Sequence, residues 1–376
     1  MNILYFADPH SIHDIKWINY FSDHLGHQTY ILPRRGQVIE RKISTYGTKA
    51  VQLDPIIDFS IVRFYRTLLT ATRIKATIKK YKIDMVHILY SEPNVLWCLF
   101  QFIFGVPMIV STRGTDVLQT IPKVFQRKSL INFLAAPAYR KAFLKADWVT
   151  CTSSKQIKSV ITFSGRTSHI SIVRTGVDLS LIENSLFEKK STIEGPFVLF
   201  PRLIQPVYNH EFGLQAIAGL SEDLKKKYKM VFLGKNSGNL QYQNLLEQMM
   251  RATKGVDFVF LEKQNAGSLI NLYRNATVVV MTPLSDGSPV SAMEAIVCGT
   301  PVILGPIDYD QELFSESVIK LTTWNVQELI DRLTDLLTEK IKFSPVSSSV
   351  REKMDRMYNM SRLNKIYKQI LIRAKK

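Results

Sequence analysis

The stretch Thr282–Leu304, TPLSDGSPVSAMEAIVCGTPVIL, decides how the rest of the chain is interpreted. The β-branched run Thr277–Val280 comes just before it and is typical of a buried parallel strand. After a polar loop, Ser288 is a favourable N-cap, Pro289 suits the first helical position, and apolar residues follow at helical spacing. A glycine ends this short helix and a second apolar strand begins. The pattern predicts a ligand-binding unit at the carboxyl end of a parallel sheet.

Two carboxylates frame this unit, since Asp286 lies in the loop before the helix and Glu294 lies on the helix itself. The helix start at Pro289–Ser291 has N–H groups without a partner inside the helix and carries partial positive charge, so it favours an anion. These groups together suit a ligand that carries both hydroxyls and phosphates. The spacing alone leaves an alternative open, in which Asp286 only caps the helix and Glu294 is solvated.

The chain has 376 residues, enough for two domains that each bury a core. It is basic, with 49 Lys and Arg against 32 Asp and Glu. Residues 1–190 hold 26 basic residues against 13 acidic ones, whereas residues 191–376 hold 23 against 19. The excess in the first half predicts an anionic partner there, such as membrane phosphates, an acidic glycan or nucleic acid.

Three short features bear on the compartment. The three cysteines are far apart, without CxxC or His-rich spacing, which predicts reduced thiols in a cytosol and no structural zinc. Asn2–Ala7 is apolar but has no basic segment before it, so it is interpreted as a first strand and not as a signal peptide. Asn94–Val110 is too short and too interrupted for a membrane span, and it predicts a buried helix followed by a strand.

Apolar strands alternate with helices along the whole chain, as in doubly wound parallel sheets. The polar segment Phe187–Pro196 predicts a domain boundary, and the alternation restarts at Phe197. The predicted fold class is therefore α/β, with two Rossmann-like domains, residues 1–190 and 191–376, that face each other across a cleft. The final helical stretch, residues 350–376, is expected either to stay with the second domain or to pack back on the first.

With both halves in order, the chain resembles the retaining glycosyltransferases of the GT-B fold, in the large family four. SDGSPVSAMEAIVCGTPVI is similar to that family's Glu-x7-Glu motif, with Asp286 and Glu294 at the two acid positions. FVLFPRLIQPVYNHEFGLQAIAGL resembles its strand ending in Gly-Arg-Leu, YKMVFLGKN its strand ending in a glycine, and VRTGVDLSLIEN its Pro-Asn-Gly-Val-Asp linker. The resemblance covers nearly the whole chain, and it implies an acceptor domain followed by a nucleotide-sugar domain.

The resemblance also implies residue roles. The catalytic pair would be Asp286, which holds hydroxyls of the transferred sugar, and Arg202, which stabilises the charge of the leaving diphosphate. Glu294 would accept hydrogen bonds from the ribose hydroxyls. The other implied nucleotide-sugar contacts are the backbone of Gly287, Ser288, Pro289 and Val290, the close approach at Gly234, and Lys235 and Asn209.

The sequence departs from the family pattern at several positions, and two of these departures concern the sugar and the diphosphate of the donor. Asp286 stands where the family usually has Glu, so its carboxylate is one methylene shorter and the preference for the donor sugar is expected to shift. The run YNH at residues 208–210 stands where the family has Lys-Gly, which leaves the diphosphate without an assured second cation. Lys235 or Lys263 is a candidate replacement, although each is also interpreted as a solvated surface lysine.

The first half contains the implied acceptor residues. His10 and His13 follow the first strand, in a segment similar to a family subset with a His and a basic Trp-containing helix, and they are predicted to contact the acceptor or else to be merely exposed. STRGTDVL resembles the family's His-Gly-x-Asp turn, with Arg113 at the His position and Asp116 matching. Arg113 is predicted to bind a phosphate, and a local pair with Asp116 is the alternative.

Two basic amphipathic stretches, Arg63–Lys82 and Lys123–Lys145, mix aromatic residues with Lys and Arg and favour docking on an anionic membrane surface. Ordinary solvated helix faces of a basic protein are the alternative. Docking would place the protein in the cytoplasm, peripheral on the inner face of the cell membrane.

The predicted function is that of a retaining, hexosyltransferase-type glycosyltransferase. It would move a sugar from a nucleotide diphosphate sugar to a glycan or lipid-linked saccharide, in the biosynthesis of surface polysaccharide, lipopolysaccharide or glycolipid. The resemblance implies no metal, no cofactor and no nucleic-acid partner. Two alternatives stay open: a nucleotide-sugar epimerase on the same fold, and a non-catalytic basic protein that binds nucleic acid or anionic membranes.

Overall fold

The computed structural model describes residues 1–34, 48–60, 63–126, 130–184, 193–236, 238–286, 288–315, 318–341 and 343–374. The chain divides into two compact units. Unit 1 comprises Met1–Thr175 and Tyr358–Lys376, and unit 2 comprises Gly176–Met357. Each unit is built on a parallel sheet with helices on both faces, as the alternation of strands and helices predicts.

Unit 1 is organised around a seven-stranded parallel sheet. Its strands and α-helices before the final helix are β1 Asn2–Phe6, α1 Ile12–Asn19, β2 Gln28–Leu32, β3 Val51–Gln52, α2 Phe64–Lys80, β4 Met85–Ile88, α3 Gln101–Phe104, β5 Met108–Ser111, α4 Ile121–Gln126, α5 Leu130–Lys145, β6 Trp148–Cys151, α6 Ser154–Ser164 and β7 Ile170–Ile172. The strand order is β3-β2-β1-β4-β5-β6-β7. One buried cluster lies between the sheet and helices α2 to α6, and a second lies on the opposite face under α1. Because both faces are covered, the strands are almost entirely apolar.

Unit 2 is organised around a six-stranded parallel sheet. Its elements are α7 Leu179–Asn184, β8 Phe197–Phe200, α8 His210–Ala218, α9 Glu222–Lys227, β9 Lys229–Lys235, α10 Leu240–Ala252, β10 Phe258–Glu262, α11 Ala266–Asn275, β11 Val278–Met281, α12 Val290–Val297, β12 Val302–Leu304, α13 Gln311–Phe314, β13 Ile319–Lys320, α14 Val326–Leu337 and α15 Ser348–Met354. The strand order is β10-β9-β8-β11-β12-β13. Helices α8, α10 and α14 cover one face, while α11 and α12 cover the other.

The order of the strands locates the functional edge of each sheet. In unit 2 the chain moves outward from β8 to β10 and then resumes on the other side of β8 with β11, so the winding reverses between β8 and β11. In unit 1 the same reversal lies between β1 and β4. Ligands of open parallel sheets bind at the carboxyl ends of the strands beside this reversal.

The unit boundary lies between Thr175 and Gly176, before the predicted boundary at residue 190. The segment after Gly176 belongs to unit 2 because Val177 and Ile182 are buried in its core. Gly176 has a positive φ of 66°, and a Cβ there would lie 2.6 Å from Cα of Arg356, so the chain passes tightly against that residue. Most of the polar segment that suggested the later boundary lies outside the described residues.

The final helix, α16, spans Arg356–Ala374, and its residues from Tyr358 onward belong to unit 1. Its buried face, which includes Leu363, Tyr367 and Ile370, packs in the cluster under α1. Tyr367 Oη lies 2.5 Å from Nδ1 of the buried His87 and 3.3 Å from Tyr5 Oη. The last helix of the sequence is therefore part of the first unit's core.

Candidate functional site

Arg202 and Asp286 meet at the winding reversal of unit 2. Arg202 follows β8 by two residues, and Asp286 lies in the loop between β11 and α12. A guanidinium nitrogen, Nη2, of Arg202 donates to Oδ2 of Asp286 at 3.2 Å, while Nη1 lies 3.5 Å from Ser291 Oγ. The guanidinium also stacks 4.2 Å above the ring of Tyr208. The side chains keep 19% and 17% of their surface exposed, so the pair is reachable by a ligand.

The loops that carry this pair are tied together by backbone contacts. Leu284 N donates to Val207 O at 2.8 Å, and Thr282 Oγ1 donates to Asn209 O at 3.3 Å. Asn209 has a left-handed backbone with φ 50° and precedes the first residue of α8. The backbone of Asn209 therefore forms the turn before α8. Its predicted contact with the ligand stays a prediction.

Gly234 and Lys235 end strand β9 beside the same loops. Gly234 has φ 93°, and a Cβ there would lie 3.0 Å from Cα of Leu203, immediately after Arg202. Gly238 is closer still, because its Cβ would lie 2.1 Å from the carbonyl oxygen of Ile204. These glycines let the β9 loop pack on the backbone that holds Arg202. Lys235 is exposed, and its predicted contact with a donor stays a prediction.

Helix α12 begins one residue later than the sequence predicts. Pro289, with ψ 115°, is the N-cap, and its carbonyl accepts hydrogen bonds from the amides of Ala292 and Met293. Ser288 is therefore not the cap, and its hydroxyl is buried without a hydrogen-bond partner among the described residues. Val290 and Ser291 are the first two residues of the helix, so their amides have no acceptor within it. The N-terminus of α12 thus lies beside Arg202, whereas Gly287 lies outside the described residues.

Glu294 is half-buried on α12 and acts electrostatically on several neighbours. Burial raises the pKa of Tyr273 well above its usual value, and the charge of Glu294 adds to this. Burial likewise raises the pKa of Cys298 to about 12, with Glu294 again contributing. Burial lowers the pKa of the Arg356 guanidinium, while the charges of Asp178 and Glu294 oppose that shift. Glu294 therefore lies in a partly desolvated setting rather than on a freely solvated helix face.

His210 does not replace the missing second cation. It is buried, and its Nε2 lies 3.0 Å from Leu203 O. Burial lowers its pKa to about 4, so the imidazole is neutral near pH 7. Arg202 therefore has no help from this position in binding a diphosphate.

Two family models match the chain, one in each half. The model described as "Glycosyl transferases group 1" matches residues 182–359, and the model described as "Glycosyl transferase 4-like" matches residues 2–153. The chain belongs to the group 1 glycosyltransferases.

Curated relatives match part of this chain at low identity. A D-inositol 3-phosphate glycosyltransferase of Saccharomonospora viridis is 27% identical over 167 residues, which are 42% of this chain and 38% of the relative. One from Kribbella flavida is 26% identical over 174 residues, 43% of this chain and 41% of the relative. The chain therefore aligns with less than half the length of these relatives.

Solved structures match nearly the whole chain. A glycosyltransferase from Rickettsia africae covers 98% of both chains at 14% identity, with a TM-score of 0.76. The Anabaena protein HepE in complex with UDP-glucose covers 98% of this chain and 100% of its own at 14% identity, with a TM-score of 0.70. These likenesses confirm the GT-B fold class that the sequence predicted.

In unit 1, Asp116 lies where an acceptor is unable to touch it. It has no exposed surface, and its Oδ2 accepts from Ser91 N at 3.1 Å and Ser91 Oγ at 2.6 Å. Its Oδ1 accepts from the amides of Gly114 and Val117, both at 2.9 Å. The predicted direct acceptor contact by Asp116 is thus corrected, because backbone and hydroxyl donors of two loops enclose the carboxylate.

Arg113 pairs with Asp14 rather than with the Asp116 carboxylate suggested as its alternative partner. Its Nη2 donates to Asp14 Oδ1 at 2.9 Å, its Nε donates to Leu89 O at 3.1 Å, and its guanidinium stacks 4.1 Å from the ring of Trp17. Only its backbone amide reaches Asp116. Burial raises the pKa of Asp14, and the charge of Arg113 opposes that rise. The cluster ties helix α1 to the loops after β4 and β5.

His10 and His13 are both exposed at the start of α1, near the carboxyl end of β1. Their predicted contact with an acceptor stays a prediction. Among the described residues no group of three or more His, Cys, Asp or Glu is placed to hold a metal ion. In the same set of residues, no helix has the length and apolar character to cross a membrane.

Sequence reasoning missed three aromatic residues of the unit 2 site. Tyr208 stacks on Arg202, Tyr273 lies near Glu294, and the buried Tyr309 has its pKa raised by burial and by the charge of Asp286. Tyr309 follows β12, the strand next to β11. The signal available in the sequence was therefore a tyrosine after the carboxyl end of a strand in this sheet. Tyr273 gave no such signal, because it lies inside a helix with apolar spacing.

Proposed function

We propose that this chain transfers a sugar from a nucleoside diphosphate sugar to a hydroxyl group of a glycan or lipid-linked saccharide, with retention at the anomeric carbon. The observation that carries the proposal is the partly exposed cluster of Arg202, Asp286 and Ser291 at the N-terminus of α12, whose first amides have no partner inside the helix. A cation, a fixed carboxylate and free N–H donors at one sheet edge suit a donor that contains phosphates and hydroxyls.

A bound donor would replace contacts that Arg202 makes with its own protein. Arg202 holds Asp286 at 3.2 Å and Ser291 at 3.5 Å, which are long for hydrogen bonds to a guanidinium. A diphosphate accepts two shorter, charge-assisted bonds from the same fork. Binding would therefore draw Arg202 onto the diphosphate and release Asp286 for the sugar hydroxyls. Glu294, with two acceptor oxygens, would take the ribose diol.

The proposed chemistry needs no nucleophile from the protein. The bond between the anomeric carbon and the phosphate oxygen breaks, and the leaving diphosphate takes the bonding electrons. Arg202 and the amides of Val290 and Ser291 stabilise that growing charge. The acceptor hydroxyl attacks the same face, and its proton passes to an oxygen of the departing phosphate. Asp286 stabilises positive charge that develops on the sugar ring.

The biological setting proposed for this reaction is the assembly of a surface polysaccharide or glycolipid, with a hexose as the transferred group. UDP is the first nucleotide to test, because the Anabaena protein of the same fold was crystallised with UDP and UDP-glucose. The Asp286 carboxylate is shorter than the family's usual Glu, so the identity of the transferred sugar is less determined than the identity of the nucleotide.

The test measures thermal stabilisation of the full chain by nucleoside diphosphates and nucleotide sugars. A ligand at about 100 times its Kd adds about 2.7 kcal/mol to the free energy of unfolding, which gives a readable shift in Tm. We expect a shift for one base series in the wild type and its loss in Glu294→Ala. The matched control is Asp331→Ala, which removes an exposed carboxylate from α14 on the opposite face of the same sheet.

Each outcome of this test decides something. A shift in the wild type and in Asp331→Ala but not in Glu294→Ala supports the donor site. No shift with any nucleotide would overturn the proposal and leave a non-catalytic binding protein. Donor binding followed by conversion to an epimeric nucleotide sugar, without release of the diphosphate in the presence of a saccharide acceptor, would favour the epimerase.

A further inference from the structure

The outer surface of one helix layer in unit 1 is unusual in composition. Residues 59–83 contain seven Lys or Arg and no Asp or Glu, and residues 117–146 contain six and none. Residues 93–115, which include α3, also lack acidic residues. The three segments contain α2, α3 and α5. Because these segments have no Asp or Glu in their sequence, the outer surfaces of the three helices carry no acidic side chains.

These helices lie on the same side of the sheet. Ala71 and Ile74 of α2, Phe104 of α3 and Phe143 of α5 are buried in a single cluster against that face. Helix α2 packs on α3, and α5 packs on the 3₁₀-helical turns Asn94–Phe100 that lead into α3. Since their inner faces share one core, their outer faces point away from the sheet on one common side.

Large apolar side chains stand on these outer faces. Phe102 is 82% exposed and Phe133 is 77% exposed. Phe64, Tyr65, Leu68 and Leu69 on α2 are also exposed, and Phe64 lies with its ring 6.2 Å from that of Phe100. Single exposed apolar residues are normal on soluble proteins, but several large ones grouped on one helix layer mark an interaction surface.

Cations surround these apolar residues. Arg73, Lys75, Lys79 and Lys80 of α2 are exposed and have no acidic partner among the described residues, and Lys141 of α5 is also exposed. A surface that joins aromatic rings, leucines and unpaired cations fits the interface of a bilayer with anionic headgroups. The leucines favour a lipid partner over a nucleic acid, because aliphatic side chains offer no stacking surface for bases.

We infer that the outer surface of α2, α3 and α5 docks the protein on a lipid bilayer that contains anionic phospholipids. The exposed rings enter the boundary between headgroups and acyl chains, and the basic residues bind lipid phosphates. This inference extends the proposed function by naming the surface that presents a lipid-linked acceptor. It concerns unit 1, whereas the donor residues lie in unit 2, so vesicle binding and nucleotide binding fail separately.

The test is flotation of the full chain with vesicles. We expect at least about tenfold stronger binding to vesicles with about 30 mol% phosphatidylglycerol than to pure phosphatidylcholine, since each basic residue near such a surface contributes about fivefold. Raising the salt from about 0.1 M to about 0.5 M should weaken the binding, because it shortens the screening length. Equal binding to both vesicle types, or no binding to either, would overturn the inference.

Variants locate the surface. Phe102→Ser combined with Phe133→Ser should reduce vesicle binding at least about tenfold, because two apolar rings no longer enter the membrane. Both side chains are exposed, so Tm and the nucleotide-dependent Tm shift should stay at wild-type values. The matched control is Leu240→Ser with Leu245→Ser, two exposed leucines of α10 in unit 2, which should bind vesicles as the wild type does.

Two double variants that remove positive charges test the contribution of the basic residues. Arg73→Gln with Lys75→Gln should weaken binding to anionic vesicles about tenfold or more, whereas Lys226→Gln with Lys227→Gln on α9 of unit 2 should not. Equal effects of the unit 1 variants and their controls would overturn the inference. Binding of single-stranded RNA that is lost in the unit 1 variants, without any vesicle binding, would also overturn it and assign the surface to nucleic acid.

Discussion

Arg113 in unit 1 and Arg202 in unit 2 occupy comparable places and differ in how firmly each is held. Each lies after a strand near the winding reversal of its sheet, pairs with an aspartate and stacks on an aromatic ring. The Arg113 pair is 2.9 Å long, with side chains 13% and 7% exposed, and a second side-chain hydrogen bond runs to Leu89 O. The Arg202 pair is 3.2 Å long and more exposed.

The difference separates a structural cation from one that can change partners. Arg113 joins helix α1 to the loops after β4 and β5, and removing it would leave the buried carboxyl of Asp14 without its cation. Arg202 has longer contacts and lies beside the N-terminus of α12, where the first amides have no partner inside the helix. We propose that the same residue types serve cohesion in one unit and ligand exchange in the other, and predictions on Arg202, Arg113 and Tyr208 test this contrast.

The largest expected effect is on turnover in Arg202→Ala. Removing the cation that stabilises the leaving diphosphate should lower kcat/KM about 100- to 1,000-fold. The free energy of unfolding should change by less than about 1 kcal/mol, because the pair with Asp286 is partly exposed. Steady-state kinetics with the donor found by thermal shift measures the first quantity, and urea unfolding measures the second. Wild-type kinetics in this variant would contradict the proposed role.

Arg113→Ala should show the reverse pattern, with a loss of about 3 kcal/mol in the free energy of unfolding, since a buried pair is broken and Asp14 is left behind. Adding Asp14→Asn should recover part of that loss, because the uncompensated carboxyl is gone. Urea unfolding of the two single variants and the double variant measures the coupling. Unchanged stability together with a large loss of activity would instead assign Arg113 to ligand binding.

The pH dependence of unit 2 should reflect His210. Burial lowers its pKa to about 4, so as the pH falls below about 6.5 the unfolded chain takes up a proton that the folded chain does not. Stability therefore decreases with falling pH between about 6.5 and 4, by about 2 kcal/mol at pH 5 relative to pH 7. His210→Gln keeps an N–H donor for Leu203 O and does not titrate, so it should retain about 2 kcal/mol more stability at pH 5.

Hydrogen exchange of amides in β8 and β9 measures this effect in unit 2 alone. That choice matters because the buried His87 in unit 1, whose pKa is also lowered by burial, adds its own pH dependence to any whole-chain measurement. Identical pH dependence of wild type and His210→Gln in these strands would show that the imidazole is not held neutral.

The smallest expected effect concerns the ring under Arg202. Tyr208→Leu removes a cation–π contact worth about 0.5–1 kcal/mol at a partly exposed site, so donor binding should weaken about two- to fivefold. Tyr208→Phe keeps the ring and should bind as the wild type does. Calorimetric titration with the nucleoside diphosphate distinguishes the two variants. Equal weakening in both variants would show that the hydroxyl of Tyr208, and not its ring, supports donor binding.

Strands that are buried on both faces require continuous apolar runs, so their positions are visible in the sequence. The run Asn2–Ala7, interpreted as a first strand, contains β1, and the alternation restarts at Phe197, where β8 begins. The start of α12 was wrong by one residue, since both Ser288 and Pro289 suit a helix N-terminus and the local backbone decided between them. The unit boundary was wrong because burial of Val177 and Ile182, not polarity, assigns that segment to unit 2.

The sequence by itself determined the two parallel sheets, the family, and the presence of Arg202, Asp286 and Glu294 near strand ends, since these depend on local periodicity and motif spacing. Only the tertiary structure decided which partners those groups have. Asp14 is 99 positions from Arg113 and meets it only because strand order brings the loops together. Burial likewise made His210 neutral and Asp116 unreachable, because desolvation depends on everything packed around a group and not on its neighbours in sequence.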